Sequence, residues 1–221
     1  GYRWFSFKAD PDFDWDGVSA VAGYRGTVWL GDRENEPDVA SIDVGVSYRI
    51  DRRNYTGLAF RNQCMPDEPL VPQCSIPTDL GRVDLAHVAS AEVSYTGERI
   101  YSLRYQLQLT DSNSFTQSFV RHRVDLGVTT ELFWDVFMTA RGTIQFNQFL
   151  DSLLITQDIN SQTFVSIDDE NRNSLALVLS RELSKELTLE GRYLFFSNEF
   201  ATQELEFRRQ TAYLGFVYTA L

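Results

Sequence analysis

Several things are scarce in this chain, and each scarcity closes off a class of protein. It has no run of about 18 consecutive apolar residues, so no helix in it can span a bilayer. Basic residues are outnumbered, with 20 Lys and Arg against 31 Asp and Glu, a net charge of −11 and a pI near 4.6. A nucleic-acid partner needs a basic face and is excluded. Histidine and cysteine occur only twice each. Neither histidine lies near the cysteines in sequence, so no Cys/His metal centre is expected. No phosphate loop, dinucleotide fingerprint or haem motif occurs, so no cofactor is expected. The chain opens on Gly1 with neither an initiator methionine nor a signal peptide. That leaves open a targeting segment removed in processing or an excerpt of something longer.

What is abundant is alternation. Hydrophobic residues make up 43 % and aromatics 14 %, enough to exclude disorder. Ala40, Ile42, Val44, Val46, Tyr48 and Ile50 are apolar or aromatic, and Ser41, Asp43, Gly45, Ser47 and Arg49 sit between them. That period of two is a strand with one greasy face and one polar face. Ten such runs are read, roughly at 17–31, 38–51, 53–62, 82–96, 99–110, 116–131, 133–148, 172–183, 186–197 and 207–221. Most are longer than the five or six residues usual in globular sheets and reach the nine to eleven a tilted membrane strand needs.

The connections alternate in length. Short links are read near Asp51-Arg52, Gly97-Glu98, Glu131-Leu132 and Ser184-Lys185, and longer polar links at 32–37, 63–81, 111–115, 149–171 and 198–206. Short turns on one side and long loops on the other are the habit of transmembrane barrels. Tyr48, Tyr55, Tyr95, Tyr101, Trp134 and Tyr218 lie near the short turns or the chain end. Trp29, Phe60, Phe119, Phe146 and Phe195 lie near the long loops. Two aromatic girdles suit two bilayer interfaces. Cys64 and Cys74 bracket a proline-rich loop and are expected to form a disulfide, which implies an oxidising compartment.

The closing segment Tyr213-Leu214-Gly215-Phe216-Val217-Tyr218-Thr219-Ala220-Leu221 resembles the C-terminal strand of Gram-negative outer-membrane β-barrel proteins. Gly215 and Tyr218 match that pattern, Ala220 stands where the final aromatic belongs, and Leu221 is one residue too many. The turn from Glu182 to Leu189 is similar to a periplasmic hairpin of such barrels. The resemblance implies an all-β, closed, antiparallel transmembrane barrel over 17–221, of ten strands. Counting two short apolar runs within 153–167 would make twelve. It implies a bacterial outer-membrane location with both termini periplasmic. Residues 1–16 would be a periplasmic lead-in, a plug inside the lumen or the end of an upstream domain. The implied partners are outer-membrane lipid, lipopolysaccharide and other envelope proteins.

In such a barrel the polar face lines the lumen and receives Arg25, Asp43, Arg49, Glu92, Arg104, Arg121, Arg123, Asp125, Asp135, Arg141, Glu182, Glu190, Arg192 and Arg209. A lumen of about ten strands has little room beyond side chains, and buried charges there must be paired or hydrated. A salt-bridged core is therefore expected, and a narrow polar pathway is the alternative. Catalysis finds no support. Barrel lipases carry His-x-Ser on one strand, whereas His87 is followed by Val88-Ala89-Ser90 and His122 by Arg123-Val124. Asp84 and His87, which could imitate an omptin-like pair, fall on opposite faces. The acidic stretches at 32–38 and 168–171 carry hard ligands suited to Ca²⁺ but match no EF-hand spacing. The expected function is an anchor or scaffold, with a small pore for polar solutes as the alternative.

Overall fold

The computed structural model describes residues 1–6, 11–32, 39–63, 74–150, 170–200 and 206–219. Among them the only helical elements are short 3-10 pieces such as Pro11–Phe13, and the rest is one antiparallel sheet. Its strands are β1 (Tyr2–Phe5), β2 (Trp15–Trp29), β3 (Ser41–Asn62), β4 (Ser75–Thr96), β5 (Arg99–Ser112), β6 (Phe119–Glu131), β7 (Val136–Phe149), β8 (Glu170–Glu182), β9 (Leu187–Phe200) and β10 (Glu206–Tyr218). They lie side by side in sequence order.

Ten strands are present among the described residues, although not the ten expected. The runs 38–51 and 53–62 are a single strand, β3, with no turn at Asp51-Arg52. Residues 51–54 stay in the ladder, paired with Asp16 to Ser19 of β2 and with Val83 to Ala86 of β4. The polar Asp51-Arg52-Arg53-Asn54 breaks the apolar alternation, but pairing on both sides satisfies every backbone group and outweighs the local pattern. The tenth strand is β1, within the expected lead-in. It pairs Tyr2 with Val18 and Phe5 with Trp15, and Phe5 stacks on Trp15.

Merging β3 reverses the direction of β2. The link at 30–40 now lies at the same end as the tight turns at 97–98, 132–135 and 183–186, the short-turn end. The links at 63–74, 113–118, 150–169 and 201–205 mark the long-loop end. Thr219 bonds to Glu186 at the short-turn end, while Gly1 pairs with Ser19 nearer the long-loop end. With nine long strands, β2 and β10 run the same way, and the antiparallel strand on the far edge is the four-residue β1. Hence β10 bonds to β9, β1 to β2, and the sheet is open, where a closed barrel was expected.

The tight turns are specified locally. Between β6 and β7, Val136 N–H donates to Phe133 O, with Trp134 and Asp135 both at positive φ (57° and 58°). Two left-handed central residues follow the right-handed twist of the flanking strands. Between β8 and β9, Ser184 Oγ accepts from the backbone N–H of Glu186 and Leu187. At the long-loop end β3 and β4, 22 residues each, outreach their neighbours. Residues 56–62 pass beyond the last residue paired with β2, which is Tyr55 against Trp15.

Candidate functional site

Register places every second residue of a strand in a cross-strand row. The row through Asp43 runs Ser94, Ser102, Gly127, Arg141 and Ala176, and the next runs Glu92, Arg104, Asp125, Thr143 and Ser174. These rows, with Arg25 of β2, form the turn-ward half of the polar face. Arg25 reaches across Gly45 to Glu92 at 2.9 Å, and Arg104 lies 4.0 Å from the same carboxylate. A Cβ at Gly45 would lie 2.9 Å from Glu92 Cγ, so the glycine makes room for that bridge. Arg123 forks onto Asp125 at 2.8–3.0 Å, and Thr143 donates to Asp125 at 2.7 Å. The side chains stay wet, Arg25 at 69 % and Arg104 at 50 % exposure. They line a cavity of about 430 Å³.

The loop-ward half is packed. Asp51 and Asp84 are both 5 % exposed. Arg82 holds Asp84 with two hydrogen bonds of 3.0 and 2.6 Å, and Ser112 donates to the same carboxylate at 2.6 Å. Arg49 Nε lies 2.9 Å from Asp51 Oδ2, an ion pair without hydrogen-bond alignment. Around them Gln108, Thr110, Gln145 and Asn147 are buried, joined by Gln108→Thr110 and Gln145→Asn147 hydrogen bonds. Arg121 donates to Asn147 at 2.8 Å and lies over the Phe119 ring. Arg53 and Arg82 lie over Trp15 and Tyr55. The 113–118 link is tied here, with Phe60 N–H donating to Ser114 Oγ and Phe115 N–H to Phe60 O.

Of the expected charge network, Arg25, Asp43, Arg49, Glu92, Arg104, Arg121, Arg123, Asp125, Arg141, Glu182, Glu190, Arg192 and Arg209 fall on the polar face. Glu92 pairs with Arg104 across the β4–β5 ladder, while Arg123 takes Asp125 and Arg192 takes Glu190 on their own strands. Asp135 is a correction, because it sits in the β6–β7 turn at positive φ, outside the strands, and does not meet Arg123. Arg121 meets an amide where a carboxylate was expected. Arg141 pairs with no carboxylate among the described residues, since the residues beside it in its row are Gly127 and Ala176. The network also contains Asp51, Arg82 and Asp84, which the expectation omitted. Their signal was in the sequence: Asp51 shares the period-two phase of Asp43, and Asp84 that of Glu92.

The opposite face is apolar and open. Val18, Tyr24, Val46, Leu103, Leu126, Ile144, Leu175, Leu214 and Phe216 are each at least 40 % exposed. Both histidines lie on it, each capped by a tyrosine one row away. Tyr48 Oη lies 2.5 Å from His87 Nδ1, and Tyr105 Oη 2.7 Å from His122 Nδ1. Asp84 and His87 diverge as the parity requires. The expected positions near strand ends are found for Tyr95 and Tyr101, whose rings lie tilted against each other beside the turn at 97–98, and for Trp134, Phe146 and Tyr218. They fail at Tyr48, which is mid-strand because Asp51-Arg52 is no turn. They fail at Trp29, which shares the polar-face phase of Arg25 and ends β2 at the short-turn end. Phe60 remains at the long-loop end.

Cys74 is fully buried just before β4, and Gln63 N–H donates to Cys74 O across the base of the loop. Cys64 lies outside the described residues, as do the hairpin expected at 153–167 and most of the two acidic stretches. Comparison with protein-family models, with curated proteins and with solved structures found no match.

Proposed function

We propose that the chain forms the wall of an outer-membrane β-barrel that acts as an anchor or scaffold in the cell envelope. The observation that carries this reading is the segregation of the two faces. One face of nine long strands is mainly apolar and uncovered, and the other carries most of the charges. An apolar surface of this extent is not left in water by a monomeric protein, whereas lipid accepts it if the strands' backbone groups are paired. Its height fits too. On β3 the apolar face runs from Ile42 to Ile50 and is interrupted by Arg52 and Asn54. Those eight steps at about 3.4 Å, tilted about 40°, span roughly 21 Å, against about 25 Å for the apolar band of such barrels.

In hydrocarbon the free edge of β10 needs an antiparallel neighbour, and β1 is the other edge strand with the right direction. Short turns would then face the periplasm, and the paired loop-ward half argues for a plugged interior over a pore. The purified protein in detergent should show β-type circular dichroism, migrate differently on gels with and without boiling, and give no steady conductance in planar bilayers. A monodisperse, detergent-free monomer would overturn the membrane reading. Reproducible open-channel currents would replace the anchor with the pore.

A further inference from the structure

The turn-ward cavity carries more positive charge than the fold uses. It is lined by Arg25, Arg104, Arg123 and Arg141 against Asp43, Glu92 and Asp125, an excess of one cation (four minus three) in a chain of net charge −11. Most of these charges are committed. Arg25 takes Glu92, Arg123 takes Asp125, and Asp43 accepts from the Thr27 hydroxyl at 2.5 Å. Arg104 lies 4.0 Å from a Glu92 carboxylate that Arg25 already holds, and its other row neighbour, Asp125, is held by Arg123. Arg141 is exposed and has no hydrogen bond or ion pair among the described residues. The sequence keeps it so, because Gly127 and Ala176 flank it and neither side chain can accept a hydrogen bond. Ser102, beyond Gly127 in the same row, adds a hydroxyl.

We propose that this cavity binds a small free oxyanion, of phosphate or carboxylate chemistry, held by Arg141 and Arg104. A guanidinium presents parallel N–H donors matched to such an anion. A concave site lined by unbalanced charge draws its counterion from solution. The inference rests on the polar face being sheltered from lipid, as the proposed function has it. The loop-ward half is packed, so the anion would enter and leave by the turn-ward side.

The test uses the full chain in detergent, with inorganic phosphate and acetate as probes at constant ionic strength and chloride as the competitor. Isothermal titration should give saturable binding of phosphate, acetate or both, beyond that of chloride. Arg141→Gln should weaken it about tenfold, the loss of roughly one charge-assisted pair, and Arg104→Gln should weaken it less. Arg209→Gln, another exposed polar-face arginine, on the edge strand β10, should leave it unchanged. In nitrogen-15 spectra the Arg141 Nε–H resonance should move on titration. Absence of saturable binding, or equal affinity in the parent and Arg141→Gln, would overturn the inference. Heat-modifiable migration of each variant reports the fold separately, so a variant that folds and binds as the parent refutes the site alone. Loss of heat-modifiability in the parent itself refutes the membrane reading.

Discussion

The two halves of the polar face use the same chemistry to different ends. In the loop-ward half arginines and carboxylates are withdrawn from water, Asp84 at 5 % exposure beneath Arg82 and Ser112. In the turn-ward half the same groups stand in an open cavity, Glu92 at 37 % and Arg25 at 69 %. An ion pair in water contributes little because solvent screens it. A buried pair contributes little net either, yet each partner becomes indispensable to the other. The loop-ward charges therefore hold the sheet together, and the turn-ward charges are free to meet something else.

The sharpest way to break that comparison is to remove one arginine from each half. Arg82→Ala leaves Asp84 buried without its cation and should cost about 3–5 kcal/mol. Urea unfolding in detergent, followed by the heat-modifiable band, measures it. Asn147→Ala should come next, at about 1–3 kcal/mol, because it strips the acceptor from Arg121 and Gln145 in a buried site. In the open half, Arg25→Ala should cost no more than about 1 kcal/mol, and that loss should shrink in high salt while the Arg82→Ala loss does not. Equal losses at Arg82 and Arg25 would erase the distinction. The smallest effect belongs to neither half. Asp135→Gly relieves a left-handed non-glycine residue in the β6–β7 turn and should raise stability by up to about 1 kcal/mol, read as a shift in unfolding midpoint.

Much of this architecture was legible in the sequence, because a period of two assigns a residue to a face whatever the strand's neighbours are. Arg104, Arg123, Arg141 and Arg192 were placed on their face by counting alone. Two kinds of information were not local. The continuity of β3 through Asp51-Arg52-Arg53-Asn54 depends on β2 and β4 pairing on either side, which no window of residues contains. That one unseen continuity moved Tyr48 from rim to mid-strand, moved Trp29 to the other end and reversed β2. Burial was the second. Arg121 and Arg141 look alike in sequence, but one lies over Phe119 and donates to the buried Asn147, and the other stands beside Gly127 and Ala176. Row-by-row register decides which arginine finds a carboxylate, and register is set by the whole sheet.

The long β3–β4 ribbon has a mechanical consequence. Seven residues of β3 beyond Tyr55 extend it by about 24 Å at the usual rise. A two-stranded ribbon of that length has little stiffness of its own. It is braced on two sides, at its root by Thr56 N–H on Asp14 O and farther along by Phe115 N–H on Phe60 O. It is thus a cantilever, with its reach set by strand length and its rigidity by two struts. Cutting either strut would soften the tip while leaving the wall intact, so the compliance of whatever the tip carries could be tuned without altering the sheet beneath it.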